Sequence, residues 1–147
     1  MTAMDITSLP EIYQPALLSL AALCLTVLIQ ALLTAPLAFI SGAQTPGAPL
    51  RGDHTQRAFR VLRTHANSAE NLAPFGLTLL IAMVVGAHAS LVNTLAMLHL
   101  GFRLLFWLAY YLGVGKVAGG PRTLAYVGGL LTNFALICST IYTLLSA

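Results

Sequence analysis

Arg63-Thr64-His65-Ala66-Asn67-Ser68-Ala69-Glu70-Asn71 runs without a break into the apolar stretch Leu72 to Val85. That stretch is too short to cross a bilayer alone, because a spanning helix needs roughly 20 residues. Counting back from Val85 over such a length draws Asn71, Glu70 and Asn67 below the membrane surface. An ionisable group at that depth costs about 2.5 to 3.5 kcal/mol on insertion scales, so its retention points to a partner and a purpose. The segment is a membrane helix and the first place to look for function.

Composition agrees with a membrane setting. Of the 147 residues, 58% are hydrophobic and 7% charged, and the mean hydropathy is +0.85. Soluble domains carry roughly 25% charged residues. Apolar segments take up nearly the whole sequence and leave no room for a soluble catalytic domain. The runs are long and continuous, without the in-out alternation of barrel strands. The expected fold is all-α, an integral membrane four-helix bundle. It forms a single domain over residues 1–147, with spans at about 13–40, 66–86, 91–112 and 122–145.

Local signals set the boundaries. No Lys or Arg precedes Tyr13, and the first apolar run is a full span, so it is not a cleavable signal peptide. Pro36 should loosen the end of this helix, and Ser41-Gly42, Pro46-Gly47 and Pro49 predict a loop. The second helix should begin near Thr55, with Asp53 as its cap, and end near Gly86. A glycine-rich loop follows Leu112, and Pro121 suits a first helical position.

Six of the seven basic residues fall in or beside two connections. Arg51, Arg57, Arg60 and Arg63 lie between spans one and two, and Lys116 and Arg122 between spans three and four. The positive-inside rule therefore places both basic loops in the cytoplasm and both termini outside, as periplasmic ends in a bacterial inner membrane. Arg103 is the exception, inside the third span and in need of an internal partner. The pI near 9.2 reports this topology and contact with lipid; no nucleic acid is implied.

At about 100° per residue, Arg60, Arg63, Asn67, Glu70, Asn71 and Pro74 share one stripe of the second helix, with His65 turned away. His99, Arg103, Phe106 and Tyr110 share another on the third helix, as do Arg122, Tyr126, Gly129 and Asn133 on the fourth. Three polar stripes, each richest toward the cytoplasmic side, predict one polar cavity opening there. Structural locking of a bundle or trimer by Arg and Glu fits the same pattern.

The pattern Arg63-x-His65-x-Asn67-x-x-Glu70-x-x-x-Pro74-Phe75, Arg103 seven residues before Tyr110, and Pro121-Arg122-Thr123 followed by Tyr126 together resemble the MAPEG family, the membrane-associated proteins in eicosanoid and glutathione metabolism. The resemblance covers nearly the whole chain. It implies a homotrimer that takes glutathione as co-substrate at the cytoplasmic side of each subunit interface. The activity implied is that of a transferase or peroxidase on lipophilic electrophiles or hydroperoxides. By the same resemblance, Asn67 and Glu70 hold the peptide portion and amino group of glutathione, and Tyr110 and Tyr126 line the tripeptide. Arg122 stands by the thiol, and Thr123 donates to the same sulfur. A free thiol has a pKa of about 8.5, and a nearby guanidinium favours the nucleophilic thiolate. Arg63 and Arg103 take the place of the family's structural charges, paired with an acid at the bundle core.

Ala66 stands where many glutathione-using members carry a second Arg, and Ala38-Phe39-Ile40-Ser41 carries no charge where they have basic residues. Phe106 replaces a His found in some branches. The alternative is a non-catalytic lipid-binding scaffold of the same fold. Cys24 and Cys138 read as buried small hydrophobes, and His54 as a loop residue. The histidines lack metal spacing, so no metal is expected. Gly128 and Gly129 should permit close helix packing.

Overall fold

Each long apolar run becomes a helix because, without water, backbone groups must bond within their own segment. The computed structural model describes residues 6–40, 49–115 and 118–146. A 3-10 turn (Ile6–Ser8) and a one-turn helix α1 (Leu9–Ile12) lead into α2 (Gln14–Ile40), α3 (Arg57–Val84), α4 (Ala89–Leu112) and α5 (Pro121–Ser146). The described residues contain no strand. Pro36 lies inside α2, which runs on to Ile40. The loop predicted at 41–48 and Lys116 lie outside the described residues.

Among the described residues, three helical stretches are long and apolar enough to cross a membrane: Gln14–Leu37, Ala89–Leu112 and Pro121–Ser146, with mean hydropathies of 2.4, 1.5 and 1.6. Helix α3 is as long but carries Arg57, Arg60, Arg63 and Glu70 in its first half, and it is not among them. Leu18, Leu25, Leu28 and Leu32 project from the exposed face of α2. Within that apolar helix, Ser19 and Thr26 donate to the carbonyls of Pro15 and Ala22, which satisfies their hydroxyls locally.

Helix α4 packs most extensively on α5 and also contacts α2 and α3. The main core lies where α3 turns into α4, with Phe75, Leu79, Val92, Ala96 and Leu136 fully buried. The start of the bundle is tied to the same end. Tyr13 donates its hydroxyl to the Ala87 carbonyl, while Asn93 donates to Ile12 and accepts from the Ala16 N–H. A smaller cluster of Phe106, Tyr110 and Ala125, with Tyr126 against it, closes the other end.

A polar layer separates the two clusters along α4. The His99 ring stacks on Phe75 at 4.0 Å, and its Nδ1 lies 2.9 Å from the Gly129 carbonyl. A carbonyl only accepts, so that nitrogen carries the proton. Close approach of α4 and α5 depends on Gly128, as expected, since a Cβ there would stand 2.5 to 2.7 Å from the Phe102 ring. The expected burial of Cys24 and Cys138 fails, since both are exposed. Apolar periodicity alone does not say whether a side chain faces the protein core or lipid.

Candidate functional site

The segment before α3 is built by short-range hydrogen bonds. Asp53 Oδ1 accepts the Thr55 N–H at 2.8 Å and the Thr55 hydroxyl at 2.5 Å, and the Asp53 carbonyl accepts the Gln56 N–H. These bonds, the hydroxyl's first, hold the Asp53 carboxyl below its ordinary range. Asp53 thus closes the turn ahead of the helix instead of capping it, and α3 starts at Arg57 with Gln56 at the N-cap. Arg60 then reaches back from the first turn of α3. Its Nη1 donates to the carbonyls of His54 at 3.0 Å and Thr55 at 2.9 Å, pinning the loop.

So pinned, His54 meets the ends of α4 and α5. Its Nδ1 lies 2.5 Å from the Tyr110 hydroxyl and 3.2 Å from Arg122 Nη1. The Arg122 guanidinium also lies over the Tyr110 ring, 4.7 Å from its centroid. Guanidinium only donates, so Nδ1 accepts and the histidine proton is assigned to Nε2. Burial, then the charge of Arg122, pushes His54 below its ordinary pKa, against the pull of Asp53. The ring is neutral near pH 7.

These side chains line a cleft of about 330 Å³, with His54, Thr55, Arg60, Tyr110 and Arg122 as its polar wall. The turn after α4 completes it. Gly113 sits at φ 66°, a left-handed conformation that ends the helix and leaves room for the Arg60 guanidinium against it. Ala109 and Val114 also belong to a neighbouring groove of about 390 Å³ between α4 and α5, lined by apolar residues such as Phe102, Leu105, Leu108 and Leu124. A cationic cleft therefore adjoins an apolar groove.

The other residues singled out from sequence are distributed differently from a single cavity. Asn67 is buried, and its Oδ1 accepts from Arg103 Nη2 at 2.7 Å. Arg103, 5% exposed, also packs its guanidinium 4.9 Å from the centre of the Phe106 ring. The expected acid at the core is thus corrected to a neutral amide plus an aromatic face. Arg63 pairs instead with Glu70, at 3.1 Å on an outward face. Tyr126 is half-buried against Phe106, and Thr123 is half-buried outside the lining of the cleft. Within one chain the structure unites Tyr110 with Arg122, and Asn67 with Arg103; Glu70 stands apart from both.

His54 is the functional candidate that sequence patterning passed over. Only the hydrogen-bonding sequence Asp53-His54-Thr55 hinted at an ordered turn there.

A helical bundle with leucines on its outer face and a basic cleft at one end has the build of a membrane protein. The MAPEG family model matches residues 16–142, from within α2 to within α5, and the chain belongs to that family. No curated protein matches the sequence. Membership and the three apolar helices make this an integral membrane protein, and support in general terms a role in glutathione or eicosanoid chemistry at the membrane.

Proposed function

We propose that the protein is a glutathione-dependent membrane transferase or peroxidase acting on lipophilic electrophiles or hydroperoxides. The observation that carries this is the Arg122–Tyr110 pair in a basic cleft beside the apolar groove. A guanidinium beside a thiol favours the thiolate, and the adjoining groove gives a lipophilic partner a place within reach of it. Thr123, next in the chain, is the second donor that the family resemblance implies, and within one chain it lies outside the lining of the cleft.

The active unit is a homotrimer, and α3 is the reason. The side chains of Arg63 and Glu70 are 40% and 56% exposed, one turn or more inside a helix that continues as an apolar span. Such a pair facing hydrocarbon is costly, so this face turns toward further copies of the chain. Glu70 of one subunit then holds the amino group of glutathione, whose thiol reaches a neighbouring Arg122, with Tyr110 and Tyr126 along the tripeptide; Asn67, turned inward to Arg103, holds in place the helix that carries Glu70. α3 thereby forms the fourth span of a single domain. Arg60 from the start of α3 and Arg122 from the start of α5 meet in one cleft, and the positive-inside rule puts it in the cytoplasm, with both termini periplasmic in a bacterial inner membrane.

Ala66 favours a second reading. It offers no cation to a glutathione carboxylate, which suits a lipid-presenting scaffold that uses the groove alone. Purified protein mixed with glutathione and a small electrophile separates the two, with Arg122→Ala beside wild type. The enzyme forms conjugate and the variant does so about 100-fold more slowly. No binding and no turnover at millimolar glutathione would leave the scaffold, and equal rates in the variant would remove the role given to Arg122.

A further inference from the structure

Resting on the glutathione reading, we propose that His54 is the proton acceptor of the site: its Nδ1 takes the thiol proton as Arg122 and Tyr110 receive the sulfur. Three observations on different elements lead there. The loop carrying His54 is anchored by Arg60 through two carbonyls. Its Nδ1 lone pair points at the two groups that would hold a thiolate. All of these side chains line the cleft, so a thiol entering it meets base and cation together.

Charges around the ring keep it ready to accept. Arg60 and Arg63 face it from α3, Tyr110 from α4, Arg122 from α5, and Asp53 from its own turn. Burial first, and then the charge of Arg122, favour the neutral ring over the pull of Asp53, the form a base must have at rest. The Arg122 guanidinium offers donors only and no acceptor for the proton.

The step balances. The S–H bond breaks with its electron pair left on sulfur, and the proton moves to Nδ1, making an imidazolium that retains its Nε2–H. The thiolate bonds to the electrophilic carbon of an activated alkene, whose π pair moves away to form an enolate. The imidazolium returns its proton to that enolate, giving a thioether and neutral His54. No oxidant or reductant is needed.

His54→Asn tests this, since the amide oxygen still accepts from Arg122 but takes no proton at neutral pH. Steady-state rates with glutathione and an activated alkene are measured from pH 5 to 9 in wild type, His54→Asn and His54→Ala, with melting curves for each. Wild-type kcat/KM shows an acidic limb below the ordinary histidine value of about 6.5. His54→Asn loses that limb and falls on the order of 100-fold at neutral pH, recovering toward alkaline pH as glutathione ionises by itself. Added imidazole restores part of the His54→Ala rate. If His54→Asn does not fold, His54→Gln takes its place. A folded variant with the wild-type rate and limb overturns the proposal alone; a wild type inert toward glutathione overturns the glutathione reading and this proposal together.

Discussion

Arg103 and Arg122 are both arginines on bundle helices, one inside α4 and the other in the first turn of α5, and they live in opposite surroundings. Arg103 is almost fully buried, held by the Asn67 oxygen and the Phe106 face. Arg122 is half-buried at an open cleft, in reach of a neutral histidine and over a tyrosine ring. The first has exchanged water for fixed partners, the surroundings of a charge that holds helices together. The second keeps one side turned to a space large enough for a ligand. Position relative to the helix end, rather than residue type, separates the two roles.

The largest expected effect falls on the cleft arginine. Arg122→Ala should lower kcat/KM with glutathione by about 100-fold, comparable to loss of one strong donor to a developing anion. Its melting temperature in detergent should stay close to wild type, because a half-exposed side chain is lost without orphaning a buried charge. A variant that melts early but, where folded, turns over normally would exchange the roles of the two arginines.

Next comes the buried arginine, approached through its partner. Asn67→Leu keeps the volume but removes the oxygen at 2.7 Å from Nη2, leaving a cation without that acceptor. Unfolding should become easier by about 1.5 to 3 kcal/mol, read from equilibrium denaturation in detergent. An unchanged midpoint would mean that Phe106 and water hold Arg103 unaided.

Much of this contrast was legible in the sequence. The stripe His99, Arg103, Phe106, Tyr110 is the buried face of α4, and Pro121 begins α5 as its fixed φ favours. The second-helix stripe was read too broadly. Asn67 and Glu70 are three residues apart and so about 60° apart around the axis, enough to send one inward to Arg103 and the other outward to Arg63. Periodicity averages over such an angle. His54 was illegible for a different reason: a loop residue has no face, and its place depends on Arg60 folding the turn back over the helix ends.

A smaller effect should come from the groove side of the cleft. In Gly128→Ala the new methyl meets the Phe102 ring at about 2.5 Å, so the ring must swing, and Phe102 lines the apolar groove. Overpacking of this kind costs about 1 to 3 kcal/mol, the lower figure being expected because a side chain can move. KM for long-chain electrophiles should rise several-fold while KM for glutathione holds. Equal changes in both constants would mean that the groove and cleft are not separate subsites.

The smallest effect on stability, and the sharpest on assembly, belongs to Glu70. As a half-exposed partner of Arg63, it contributes at most about 1 kcal/mol in a single subunit. Glu70→Gln should therefore leave the melting curve of isolated subunits nearly unchanged. In the proposed trimer the same residue would meet the glutathione ammonium, so on that proposal the variant should raise KM for glutathione with kcat held. That split is the mark of a binding contact made equally in ground and transition states. A drop in kcat at constant KM would place Glu70 near the reacting sulfur instead. No kinetic change at all would return the Arg63–Glu70 pair to a purely structural seam between copies, leaving Arg122, Tyr110 and His54 to define the site within one chain.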